Sequence, residues 1–240
     1  MNDILSVIPL GGLEEIGMNM TVLEYGDDMV VVDAGLMFPQ EEMLGIDFVI
    51  PDFTYILENR EKVRGIILSH GHEDHTGALP FLLKEMNVPV YGTPLTIGLV
   101  REKLREHNLE HVELNAVKPR EIITLGVFEI EPIRVTHSIV DGVGFGIKTP
   151  VGLIVHTGDF KLDPTPVDGQ LMDFHKFSEY GEKGTVLLLS DSTNAEKGGF
   201  TFSEKEVRRA FEEIFATAKG RGGSSLVPVS LSMILTSVSG

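Results

Sequence analysis

The stretch 69–77, Ser-His-Gly-His-Glu-Asp-His-Thr-Gly, sets the tightest constraint on what this chain can fold into. His70, His72, Asp74 and His75 put three imidazoles and a carboxylate within six consecutive residues. These are nitrogen and oxygen donors of the kind that suit a borderline divalent cation such as Zn²⁺. The flanks say where such a cluster can sit. Residues 64–68, Arg-Gly-Ile-Ile-Leu, form a short apolar run that reads as a buried strand, and residues 78–86 open as a helix. The cluster therefore occupies a strand-to-helix loop, the usual place for chemistry in an α/β fold. On extended backbone, spacing by two points His70, His72 and Asp74 to one side and sends the adjacent His75 elsewhere. That favours two neighbouring metals over one, with His70 and His72 on the first and Asp74 and His75 on the second. The bland alternative, a solvent loop rich in histidine, fits poorly with so dense a pattern between a strand and a helix.

Size and charge limit what surrounds this loop. A chain of 240 residues, 42% of them hydrophobic, can bury a sizeable core as one large domain. No apolar stretch is long enough to span a bilayer, and the N-terminus lacks the features of a signal peptide. The expected location is cytoplasmic, with no membrane contact. Without cysteine there is no disulfide framework, and metal ligands must come from His, Asp or Glu. A formal net charge of −16 argues against a generally basic nucleic-acid surface. A local basic groove stays open, and bound cations would offset charge where an anionic substrate lands.

In chain order, residues 4–10 read as a strand followed by a Gly-rich turn at 11–17. Residues 20–25 and 29–35 flank Gly-Asp-Asp and read as a β-hairpin. Asp33 ends its second strand, either as a turn-forming aspartate or as an acceptor that orients a ligand histidine. Residues 53–62 read as a short helix, 88–93 as a strand, and Pro94 as the start of a helix running to about His107. Residues 112–117, 122–130 and 133–136 read as β, closing on His137, which alone would pass for a structural histidine. Residues 145–159 form another hairpin, turning at Thr149-Pro150-Val151-Gly152 and delivering Asp159, the natural candidate to bridge two metals. Residues 186–191 read as one more buried strand. Ser203-Glu204-Lys205-Glu206 is a capping box, opening a helix with Val207, Ala210, Phe211, Ile214, Phe215 and Ala218 on one face and a stop at Gly220.

The run His70-Gly71-His72-Glu73-Asp74-His75 resembles the HxHxDH signature of the metallo-β-lactamase fold, an α/β sandwich with layers αββα. Pro9-Leu10-Gly11-Gly12, residues 32–39, residues 134–138, Val155-His156-Thr157-Gly158-Asp159-Phe160-Lys161 and residues 190–196 are similar to the ribonuclease J family of the β-CASP group. The resemblance implies a two-zinc hydrolase, with Mn²⁺ or Mg²⁺ as alternatives. Such an enzyme cuts single-stranded RNA internally and from a 5′-monophosphorylated end with a metal-activated hydroxide. It implies His70, His72 and His137 on one metal, Asp74 and His75 on the other, Asp159 between them, and Asp33 supporting the cluster. Catalytic roles fall to Asp74, His75 and Asp159. His107, His111 and His175 match no ligand position, and His156 is either a support for Asp159 or a packed strand histidine. Homo-oligomers or association with other RNA-decay proteins are implied for the full-length family.

Two positions depart from the family pattern: Glu14 stands where glycine is usual, and Met18 where lysine is usual. Residues 1–220 read as the metallo-β-lactamase domain, incomplete at its C-terminus, and 221–240 as an atypical tail where the β-CASP domain would begin. That tail resembles a truncated or frame-shifted reading. A metal-binding fragment without turnover is therefore the second functional expectation, and another hydrolase of the same fold is the third.

Overall fold

The computed structural model describes residues 4–39 and 43–217. Strands β1 (Leu5–Gly11), β2 (Met20–Tyr25), β3 (Asp28–Val32), β4 (Val63–Ile67), β5 (Val90–Gly92) and β6 (Leu114–Ala116) form one sheet in that order. The first three are antiparallel, and from β3 onward each neighbour is parallel. A parallel step needs a crossover, and helices supply it. These are α1 (Thr54–Glu58), then α2 (Glu73–Thr76) with α3 (Leu79–Glu85), then α4 (Pro94–Glu106). The second sheet, in the order β11-β10-β9-β8-β7, contains β7 (Ile123–Leu125), β8 (Phe128–Arg134), β9 (Val143–Thr149), β10 (Gly152–His156) and β11 (Thr185–Leu189). It is antiparallel except for β10 and β11, which are joined through α5 (Phe174–Lys183). α6 (Glu204–Thr217) follows.

Period-two alternation sorts the side chains into layers. Met29 and Val31 of β3 face α1, α3 and α4, where they join Ile56, Leu79, Leu82, Val100 and Leu104. Val30 and Val32 face the other way and pack with Phe128, Ile130, Phe145, Ile147 and Ile154 of the second sheet. On the far side, Ile133, Leu153 and Val155 meet Tyr180 and Phe177 of α5. The result is the αββα sandwich expected from the sequence. No helix among the described residues is long and apolar enough to cross a membrane.

Four local expectations are corrected. Residues 53–62 split into α1 and a separate 3₁₀ turn, Arg60–Lys62. Residues 122–130 are two strands, not one: Gly126, at φ 58°, turns the chain between Leu125 and Phe128. β8 then continues through Pro132, whose carbonyl accepts from Arg120 N–H at 2.7 Å on the side that β7 has vacated, so its missing N–H breaks no ladder bond. β11 is an edge strand rather than a buried one, with Val186 and Leu188 exposed at 59% and 60%. On α6 only Val207 and Phe211 of the expected apolar face are half-buried, while Ala210 and Phe215 are exposed. Ala218, the stop at Gly220 and the tail at 221–240 lie outside the described residues.

Candidate metal centre

All the candidate ligands leave the C-terminal ends of strands at one edge of the sandwich. Asp33 follows β3, the 69–76 loop follows β4, His137 follows β8 and Asp159 follows β10. The two sheets are stitched together there by Val143 N–H, which donates to Ser69 O at 2.9 Å. Two glycines permit the close approach. A Cβ on Gly35 would fall 1.6 Å from Asp74 O, and Gly158, at φ 57°, lies against Val143 O and Ser69 Cβ.

The 69–76 loop is not extended throughout. His72 has extended backbone, at φ −67° and ψ 155°, and the chain then winds into the single turn α2. Extension keeps His70 and His72 on one side, with His70 Nε2 and His72 Nδ1 3.0 Å apart. The turn carries Asp74 round and swings His75 inward, which corrects the expectation that His75 points elsewhere: its ring centre is 4.1 Å from that of His70. Lys103 on α4 braces the turn, donating to Glu73 Oε2 at 2.6 Å and Thr76 Oγ1 at 3.0 Å.

His137 completes a group of three imidazoles, its ring centre 4.9 Å from His70 and 5.1 Å from His72. The His75 Nε2 atom lies 3.3 Å from Asp159 Oδ1 and 3.7 Å from Asp74 Oδ2. The other Asp159 oxygen, Oδ2, lies 3.7 Å from His137 Nε2. Thus the seven residues singled out from the sequence converge, Asp33 from below. His107 stands apart against Phe81 and Lys84. His156 Nδ1 accepts from Gly158 N–H at 3.0 Å, so it supports the turn that presents Asp159.

Asp33 sets the orientation of the rings. Its carboxylate accepts from Ser69 N–H at 2.7 Å, from Ser69 Oγ–H at 2.8 Å and from His75 Nδ1–H at 2.8 Å. With its hydroxyl hydrogen given to Asp33, Ser69 Oγ is left to accept from His70 Nδ1–H at 3.0 Å. His70 then carries its proton on Nδ1 and turns a bare Nε2 toward the centre, while His75, its Nδ1–H held by Asp33, presents its Nε2 there, the role of the partners behind a metal-bound imidazole. Asn19 closes the wall, its amide donating to Asp74 O at 3.2 Å and lying 3.1 Å from His75 Nε2. Sequence reasoning missed Asn19 because it is 56 residues from His75 and no local pattern marks it. Ser69 was in view, but its role depends on Asp33 being folded beneath it.

Electrostatics fits a cation. Burial, reinforced by neighbouring imidazoles, pushes His70 well below the ordinary histidine range. Burial also holds His72 down and takes His137 to about 4, against the pull of nearby carboxylates. These three are neutral donors at physiological pH. For His75 burial works against the cation, but the Asp33 and Asp159 carboxylates overcome it and hold the ring well above the usual value. A nitrogen facing two carboxylates is a place where a divalent cation can stand in for the proton. Nitrogens around a tetrahedral Zn²⁺ at roughly 2.0–2.1 Å sit about 3.3 Å apart, close to the His70–His72 separation. The donors group as His70, His72, His137 and as His70, His75, Asp159. His70 is common to both groups, its Nε2 facing His72 while its Nδ1 is occupied by Ser69.

Residues 15–203 match the family model of the metallo-beta-lactamase superfamily. The chain is 50% identical over 220 residues to ribonuclease J of Synechocystis sp., covering 90% of this chain and 34% of that protein. It is 47% identical over 227 residues to ribonuclease J of Thermus thermophilus, covering 91% of this chain and 40% of the relative. It thus spans about a third of the length of the curated relatives it matches. A crystal structure of a protein of unknown function from Enterococcus faecalis V583 shares the fold, with a TM-score of 0.65 at 19% identity over 89% of this chain and 57% of that one.

Proposed function

The chain belongs to the metallo-β-lactamase superfamily and matches ribonuclease J along its N-terminal part, and from that premise we propose that it forms the metal-binding domain of a ribonuclease acting on single-stranded RNA, both within the strand and from a 5′-monophosphorylated end. The observation that carries this reading is the Asp159 carboxylate, whose two oxygens face His75 and His137 from between two donor sets. His70, His72 and His137 are assigned to one cation, Asp74 and His75 to the other, and Asp159 to both. Zn²⁺ is the expected ion, with Mn²⁺ or Mg²⁺ as alternatives. Bound as a pair, such ions supply Lewis acidity toward phosphoryl oxygens and a water of lowered pKa.

The remaining work belongs to the chain itself. Asp33 and Ser69 hold the His70 and His75 rings in one orientation, so the site needs little rearrangement when charge develops. Asp74, with its side chain 34% exposed, is the more open of the carboxylates beside His75, which supports giving it a part in steering the proton of an attacking water. The arrangement suits in-line hydrolysis of a phosphodiester. Metal-loaded protein incubated with 5′-monophosphorylated single-stranded RNA should give cleavage that is lost in His72→Ala. Cleavage indifferent to His72→Ala, or a chain that binds no metal, would refute the proposal. One observation favours a second reading, a metal-binding domain without turnover of its own: the chain covers only 34–40% of its ribonuclease J relatives. Tight metal binding with no cleavage in the same assay would select it.

A further inference from the structure

His137 and Asp159 leave different strands, β8 and β10, and the carboxylate reaches its neighbours only if segment 159–163 is held in place. One side of that segment is tied to the residue before His137. Lys161 N–H donates to Thr136 O at 2.7 Å, and the Thr136 hydroxyl donates to Lys161 O at 2.5 Å. The other side is tied to the start of α6. Lys161 Nζ is ion-paired to the Glu204 carboxylate and donates to Phe202 O at 3.1 Å. Glu204 N–H donates to Asp163 Oδ2 at 2.8 Å, and Thr165 N–H to Asp163 Oδ1 at 2.9 Å. Thr136, Asp163 and Glu204 are 5%, 6% and 7% exposed. Burying a charged pair carries a desolvation penalty, and an apolar pair of similar volume is often as stable, so stability alone explains it poorly.

We propose that Lys161, Asp163 and Glu204 are positioning residues that hold Asp159 in register with His137, so that the seating of α6 sets how tightly the second cation is held. This rests on the two-cation reading above. Titration calorimetry of the metal-free chain with Zn²⁺ alone tests it. Glu204→Gln, Asp163→Asn and Lys161→Met should each weaken the site of Asp74 and His75, for which Asp159 is one of only three ligands, relative to the site that also has His70, His72 and His137, by about tenfold or more, as outer partners of metal ligands do, while Lys161→Arg keeps the ratio. If a purely structural role is all they have, both affinities will fall together with the melting temperature and the ratio will stay constant, which overturns the proposal. Unchanged affinities overturn it as well. If the unsubstituted chain binds no Zn²⁺ at either site, the two-cation reading falls first and takes this inference with it. Should Asp163→Asn fail to fold, the Lys161→Met and Lys161→Arg pair, which leaves the Asp163 carboxylate in place, still decides.

Discussion

Glu14 sits at φ 60° and Met18 at φ 51°, the left-handed region that costs an L-residue about 1–2 kcal/mol. The backbone at Glu14 is of the kind that glycine adopts without a steric cost. Glycine has more freedom to lose on folding, about 0.5–1 kcal/mol. Glu14→Gly should therefore stabilise the fold by on the order of 0.5–1 kcal/mol net. Urea unfolding at unchanged m-value measures this, and a loss of stability would show that Glu14 makes a compensating contact. Asp33 is also left-handed, at φ 60°, but it is pinned by its bonds to Ser69 and His75. Removing a buried acceptor leaves its donors unpaired, at about 1–3 kcal/mol. Asp33→Ala should lower stability by that order and metal affinity by about 10–100-fold. Asp159→Ala should cost more metal than either Asp33→Ala or Asp74→Ala, because of the three carboxylates it alone faces both His75 and His137; calorimetry giving Asp33→Ala the larger loss would reverse the assignment.

At the scale of elements, α6 is held mainly by its first residues, since along its length only Val207 and Phe211 are half-buried among the described apolar positions. Asp163 does much of the holding. Burial works against its charge, but the N–H groups of Glu204 and Thr165 and the Ser203 hydroxyl overcome it and keep the carboxyl below its usual range. A carboxylate depressed in the folded state contributes stability above its unfolded pKa of about 3.9, and that contribution is lost as pH falls through the folded value. Native protein should thus lose α6 docking below about pH 4, and Asp163→Asn should flatten that acid limb while lowering stability at neutral pH. Melting curves followed from pH 7 downward check this; parallel acid limbs would assign the loss to other groups. The turn α2 is held in a comparable way by Lys103, which explains how so short a helix keeps Asp74 and His75 in place.

Across the whole molecule, β3 and β4 are covered on both faces, by helices on one and by the second sheet on the other, whereas the outer side of β11 shows Val186 and Leu188 to solvent. The Synechocystis and Thermus relatives are roughly two and a half times as long as this chain, which covers 34% and 40% of them. The 240-residue chain by itself should bind metal yet hydrolyse RNA at least about 10²-fold more slowly than the full-length Synechocystis protein, since an error of about 1 Å in positioning already costs that much. Single-turnover assays at equal metal occupancy compare the two, and equal rates would show that this portion suffices. Short-range pattern carried much of this structure. The alternation in β2 and β3, Pro94 at the head of α4, the turn at Pro150-Val151 and the dense His/Asp run are local signals that survive folding, because they rest on backbone geometry and side-chain period. Where neighbours decide, sequence failed: an apolar run in β11 reads the same at an edge as in a core, and the hairpin at Gly126 hid inside a continuous β pattern. The ligand residue types were determined by the sequence itself. What only the tertiary structure decided is how Asp33, Ser69 and Asn19 meet residues 70–75, because hydrogen bonds between segments tens of residues apart exist only once two sheets have packed and brought their strand ends to one edge.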